Sequence, residues 1–172
     1  MSCNKFVVKD FSVKKLDEKM NLSGFDCSND DDLGLDEFIH NEALEYQNEG
    51  MGVSHLFYVK EKIAGYITVA MGSIGVKSTE LEVEVYDKKR YPALWLGRVA
   101  VDNEFRRRNV GKCMLQWSVG LAQSLSEVMG CRFIVLVTRG EHRIKFYREC
   151  GFNICPITLP EPDMKMMYFQ LF

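Results

Sequence analysis

The sequence predicts a mixed α/β fold of the α+β kind, with helices flanking a central, mostly antiparallel sheet. Three observations predict it. Two strand-like runs, His55 to Lys60 and Ile63 to Met71, are separated by only Glu61 and Lys62, which calls for a tight hairpin. A long helical pattern joins apolar strands at 96–101 and 132–138, and a crossover of that kind is right-handed and leaves the two strands parallel. The second of these strands, RFIVLVT, is almost continuously apolar, as expected where both faces of a strand are covered.

Taken in order, Phe6, Val7, Val8 and Phe11 suggest a first strand, followed by a loose segment through Met20 and Leu22. The cluster Ser28 to Asp32 is acidic and turn-like. Leu35, Phe38, Ile39, Ala43 and Tyr46 then recur at helical spacing, and Gly50 offers a stop. After the hairpin, 72–79 reads as a loop of small residues, and LEVEV at 81–85 alternates like a half-exposed strand. Tyr91 and Pro92 precede the strand at 96–101. Val110, Met114, Trp117, Leu121, Leu125 and Val128 follow in steps of three and four, so a helix of about five turns closes near Gly130. EHRIKFYREC forms a short helix with Ile144, Phe146 and Tyr147 facing inward, Gly151 turns the chain, and 152–154 and 166–172 supply the last strands.

The 172 residues, 47% of them hydrophobic, are read as one domain spanning 1–172. The net charge of -2 hides an asymmetry: residues 1–95 hold 11 Lys/Arg against 17 Asp/Glu, and 96–172 hold 11 against 7. The second half is therefore the anion-facing one. Cys3, Cys27, Cys113, Cys131, Cys150 and Cys155 form no CxxC pair and read as buried free thiols in a reducing compartment. No run approaches the ~18 apolar residues of a membrane span, so no membrane partner is expected and a cytoplasmic protein is. Asp30 to Asp32 reads as a solvated cap or loop; no His or second carboxylate set follows at ligand spacing, so no metal is assigned.

The stretch that organises the chain is LGRVAVDNEFRRRNVGK, Leu96 to Lys112. It passes from a strand through a polar turn into a helix, and Arg106, Arg107, Arg108 and Lys112 crowd the junction. Free N–H groups and the positive end of a helix dipole make such a junction a receptor for phosphate. The nucleotide-hydrolase loop GxxxxGK[ST] is not matched, because Arg106 stands at its first Gly and Cys113 at its hydroxyl residue. The dinucleotide fingerprint GxGxxG is absent.

Arg106, Asn109 and Gly111 do stand at the positions of Q/R-x-x-G-x-G/A, and the stretch resembles this signature of the GCN5-related N-acetyltransferases (GNAT), with Asn for the first Gly. Asn tolerates left-handed backbone better than most residues. Downstream, Phe146-Tyr147 followed by Gly151-Phe152 resembles the family's F/L-Y-x-x-x-G-F segment. Within the family the chain resembles the standalone tRNA-acetylating toxins and their relatives, in FDCSN, LDEFI, IAGYITVA and YPALWLGRVAVD.

The resemblance implies a GNAT fold, its sheet splayed between the parallel strands at 96–101 and 132–138, and acetyl-CoA as cosubstrate. It implies that Arg106, Arg107, Arg108, Asn109, Val110, Gly111 and Lys112 bind the pyrophosphate. Val99, Ala100 and Val101 would hold the pantetheine arm, and the Phe146-Tyr147 pair would lie beside the thiol. Tyr147 would be the acid that protonates the departing thiolate. The acceptor is a primary amine attacking directly, with an aminoacyl-tRNA first by resemblance. A small amine or a protein amino group stands beside it, since 22 Lys/Arg against 24 Asp/Glu give no overall basic excess. A non-catalytic acyl-CoA sensor is the rival from another class, and a homodimer is the assembly the resemblance suggests.

Other residues carry weaker assignments. Glu37, Glu82 and Glu84 are conceivable general bases that read first as surface carboxylates. Cys113 and Cys150 have no evident base and read as thiols rather than acyl carriers. His40, His55 and His142 receive no chemistry. Gly140 stands where many family members carry an orienting Asn. Arg139, Arg143, Lys145 and Arg148 read equally as a solvated helix face or as a phosphate contact.

Overall fold

The computed structural model describes residues 6–75 and 90–172. Phe6 to Phe11 is not the expected strand. Asp10 accepts the Val7 N–H at 2.8 Å and returns its own N–H to the Val7 carbonyl at 2.9 Å, and this closes a 3-10 turn at Val8–Asp10. The strand β1 follows at Ser12–Lys15. The helical period from Leu35 is present as α1 (Leu35–Glu37), a π-helical turn at Phe38–Glu42, and α2 (Ala43–Asn48). Gly50 takes φ 73° just beyond.

Strands β2 (Val53–Val59) and β3 (Lys62–Gly75) make the hairpin. Its turn is Lys60-Glu61 rather than Glu61-Lys62, because Lys62 already pairs with Val59 and Lys60 takes the left-handed φ of 57°. The expected loop at Gly72 is strand as far as Gly75. Ile74 is buried in a core, and the Arg90 side chain donates to the Ser73 hydroxyl at 2.7 Å and carbonyl at 3.1 Å. The proposed strand at 81–85, with Glu82 and Glu84, lies outside the described residues, as does Cys3.

β4 (Arg90–Val101) begins earlier than expected and includes Tyr91 and Pro92. Pro92 brings no N–H to the ladder, yet its carbonyl accepts the Arg132 N–H at 3.0 Å. A 3-10 turn at Asn103–Phe105 leads to α3 (Val110–Val128), and then come β5 (Phe133–Arg139), α4 (Glu141–Glu149), β6 (Asn153–Ile154) and β7 (Met164–Gln170). Among the described residues the sheet order is β1-β2-β3-β4-β5-β7-β6. As the crossover requires, β4 and β5 are parallel; β1-β2, β2-β3, β5-β7 and β6-β7 are antiparallel. The parallel ladder ends with Leu96 opposite Leu136, and β4 continues for Gly97 to Val101 beyond it.

The residues cluster into two compact units, 1–70 with 97–117 and 71–96 with 118–172. In the first, α1, the π turn and α2 put Phe38, Ile39 and Ala43 against Leu56, Tyr66 and Ala100. In the second, Phe133 and Val135 of β5 pack with Tyr91, Ala93 and Tyr168. Among the described residues Cys27, Cys113, Cys131 and Cys155 are buried thiols, as expected, while Cys150 is half-buried.

Two glycines test this packing. A Cβ on Gly65 would sit 2.7 Å from the Ala100 carbonyl and 2.6 Å from the Met114 sulfur, and the backbone carbonyl has nowhere to go. Gly65→Ala is expected to cost about 1–3 kcal/mol. Gly120, on α3 with nothing within 4 Å of its Cβ position, is expected to gain about 0.5–1 kcal/mol as Ala. Urea denaturation of both variants checks the opposite signs.

Candidate active site

The end of β4 and the turn after it are held by one carboxylate. Asp102 is only 4% exposed. It accepts the Glu104 N–H at 2.8 Å and the Asp26 N–H at 3.0 Å, while its own N–H donates to the Ala64 carbonyl at 3.0 Å. Asn103 N–H adds a bond to the Asp26 carbonyl at 2.8 Å. Asp102 reads in the sequence as polar punctuation, which fits its capping bond to Glu104; the bonds to Asp26 and Ala64 are distant in the chain and no local signal marks them.

From there the loop turns through two left-handed residues, Arg107 at φ 61° and Asn109 at φ 71°. The Asn109 conformation is the one anticipated for an Asn in a glycine position. It is fixed from outside: the Asn109 side-chain amide donates to the Phe6 carbonyl at 2.9 Å, and Phe6 N–H donates to the Arg108 carbonyl at 3.0 Å. Phe6 thus straps the loop, a role its apolar character alone could not reveal. The first i to i−4 bond of α3 runs from Cys113 N to Asn109 O at 3.1 Å. The N–H groups of Val110, Gly111 and Lys112 therefore precede the helical ladder and are left for an external acceptor.

The cations of the loop part company. Arg106 donates to the carbonyls of Cys27 at 3.2 Å and Asn29 at 2.7 Å, 4.0 Å from Asp30. Arg108 lies over the rings of Phe6 and Phe105, at 4.6 and 5.3 Å. Arg107 and Lys112 are exposed. Val99 and Val101 are half-buried and Ala100 is buried in the first unit's core.

In the second unit, Tyr147 is the buried residue of α4, edge-on to Phe146 at 5.3 Å and to Phe152 at 5.7 Å. Its carbonyl accepts the N–H groups of Cys150 and Phe152, each at 3.0 Å. Burial pushes the phenol above its ordinary value, with the Arg143 charge pulling the other way. The proton is thereby retained at neutral pH. Gly140 precedes α4 at φ 83° and leaves no side chain where an orienting Asn would stand.

Other candidates have ordinary employment. Arg139 pairs with Glu161 at 3.0 Å and Asp163 at 3.6 Å, and Lys145 lies 4.0 Å from Glu149. Glu37 is exposed and accepts the Asn41 amide at 2.7 Å. His40 contacts the Phe25 carbonyl at 3.0 Å, and His55 lies against Trp117 at 4.8 Å, its pKa lowered by burial and by Lys15. Burial raises the Cys113 thiol, first of the causes, so it is a poor nucleophile. Among the described residues no group of three or more His, Cys, Asp and Glu is arranged for a metal, and no helix is long and apolar enough to cross a membrane.

A strand ending in an Asp-tied turn, a left-handed loop and an open helix start is the geometry that the family signature describes. The acetyltransferase (GNAT) domain model matches residues 53–154. This chain belongs to the GNAT acetyltransferases. The matched span covers β2 to β6, including both the loop at 106–112 and Tyr147.

Several solved structures share the fold. A bacterial toxin superposes with a TM-score of 0.81 at 13% identity, covering 94% of this chain and 90% of its own. AtaT complexed with acetyl-methionyl-tRNAfMet gives 0.77 at 17% identity, covering 91% and 94%. AtaTR bound with AcCoA gives 0.75 at 18% identity, covering 95% of each chain.

The GNAT loop depends on the backbone that Asn109 adopts. Asn109→Gly keeps that backbone and loses the bond to Phe6, whereas Asn109→Ala loses the bond and strains the turn by about 1–2 kcal/mol. Thermal melting is expected to rank Asn109 above Gly and Gly above Ala.

Proposed function

We propose that this GNAT enzyme moves the acetyl group of acetyl-CoA to the amino group of an aminoacyl-tRNA. The observation that carries the cofactor part is the loop at 106–112, where two left-handed residues and three N–H groups ahead of the helical ladder coincide with exposed Arg107 and Lys112. That set fits a diphosphate. Support for the acceptor comes from fold neighbours such as AtaT, solved in complex with acetyl-methionyl-tRNAfMet. A toxin-like role in the cytoplasm belongs to the same reading.

Acetyl-CoA supplies the thioester whose carbonyl carbon the acceptor amine attacks, with the thiol as leaving group. The chain's own residues bind and move one proton. The N–H groups of Val110, Gly111 and Lys112, with the Arg107 and Lys112 charges, hold the pyrophosphate. Arg106, Arg108 and Asn109 shape the loop that presents them, and the backbone of Val99, Ala100 and Val101 holds the pantetheine arm. Phe146 packs beside the sulfur, and the Tyr147 hydroxyl gives that sulfur its proton; the proton the acceptor nitrogen sheds as the amide forms passes through water and restores the phenol. No nucleophilic side chain is needed for direct transfer.

Incubation of labelled acetyl-CoA with charged tRNA, deacylated tRNA, small amines and a protein substrate tests the reading. The expected product is acetylaminoacyl-tRNA alone. Label on a small amine or protein and none on charged tRNA would move the acceptor class, and saturable acetyl-CoA binding without turnover would make the protein a sensor.

Tyr147→Phe is expected to lower kcat by about 10²-fold or more and to leave acetyl-CoA affinity within a factor of two. Because the Tyr147 phenol is held above its ordinary value of about 10, its acid form persists as pH rises. The rate is expected to climb as the acceptor amine deprotonates, and to show no fall from Tyr147 below about pH 10. A decline between pH 7 and 9 that Tyr147→Phe abolishes would contradict this.

A further inference from the structure

Arg98 stands on β4 one residue before Val99. Its only hydrogen bond among the described residues is the one its Nη1 donates to the neighbouring Gly97 carbonyl, at 2.8 Å. Its Nε is buried and has no partner. The guanidinium lies 4.7 Å from the ring of Phe38, in the π turn.

Arg106 donates to two carbonyls and Arg139 pairs with two carboxylates. Arg108 and Arg132 share with Arg98 a buried Nε without a partner and a place on aromatic rings; Arg98 is set apart by its position beside Val99. A half-buried guanidinium without an anion costs stability. A planar cation set against an aromatic face is also held in one orientation, with donor edges available for a bidentate oxyanion.

We propose that Arg98 receives a phosphodiester of the acceptor. The inference rests on the aminoacyl-tRNA reading above. In that substrate the amino acid's own carboxyl is tied up as an ester, so no carboxylate arrives with the amine and the nearest anion is a backbone phosphate. The cofactor's diphosphate is already provided for by the loop at 106–112. Arg98 adjoins Val99, whose backbone the mechanism assigns to the pantetheine arm, so an anion on its guanidinium belongs to a molecule entering at the reactive end.

The test compares wild type with Arg98→Met and Arg98→Lys, using charged tRNA and an aminoacyl ester of adenosine that carries no phosphate. Arg98→Met is expected to raise KM for charged tRNA by about 10-fold or more and to lower the salt slope by about one. Its rate on the phosphate-free ester should match wild type, its acetyl-CoA Kd should stay within a factor of two, and its melting temperature should not fall. Arg98→Lys should lie between.

An unchanged KM for charged tRNA in Arg98→Met, with wild type active, overturns this inference alone. Equal losses on both acceptors, or a weakened acetyl-CoA Kd, overturn it as well by making Arg98 a structural or cofactor residue. Wild type inactive on charged tRNA overturns the acceptor reading and this inference together.

Discussion

The Asp102 carboxylate is the constraint on which the candidate site depends. A strand that ends beside a ligand must stop without leaving its last polar groups unpaired. Asp102 does this by accepting from the 3-10 turn just after it and from Asp26, 76 residues earlier. The turn, the end of β4 and the segment at 26–29 are thereby one hydrogen-bonded body. The loop that follows inherits a fixed starting direction.

Several carboxylates of the acidic N-terminal half are engaged with backbone in the same way. Asp31 accepts from Asp36 N and Asp36 accepts from Cys27 N, both at 2.8 Å. Ser28, through its hydroxyl and its amide, holds the Asp26 carboxyl below the usual range, with Asn103 and Arg106 adding to the effect. These acids clip turns together, and Arg106 spends its charge on the same segment. The positive charge left exposed in the loop is that of Arg107 and Lys112.

Much of this was legible in the sequence where a pattern is periodic or a motif is local. The apolar period of α3 placed a helix from Val110, the nearly continuous run at 132–138 placed a covered strand that the structure has at Phe133–Arg139, and the crossover rule made it parallel to β4. An Asn at a glycine position correctly foretold left-handed backbone. What escaped is of two kinds. The 3-10 turn at Val8–Asp10 is a local closure of Asp10 on Val7 that an apolar pattern does not register, whereas the strand past Gly72 is held by a partner farther along the chain, Arg90 on Ser73. Arg98 leaves no sequence signal, because a single cation in an apolar strand looks like the rim of a sheet and its ring partner, Phe38, is distant in the chain.

The π turn at Phe38–Glu42 constrains the length of its segment. A π-helical turn closes its hydrogen bonds one residue wider than an α-helix does, so it holds one residue more than regular helix would. Removing one residue there would restore regular hydrogen bonding, yet it would rotate everything beyond by about 100°. Ala43 would then leave the core it shares with Phe38 and Ile39. This segment is therefore closed to single-residue deletions, although a regular helix would satisfy its backbone equally well.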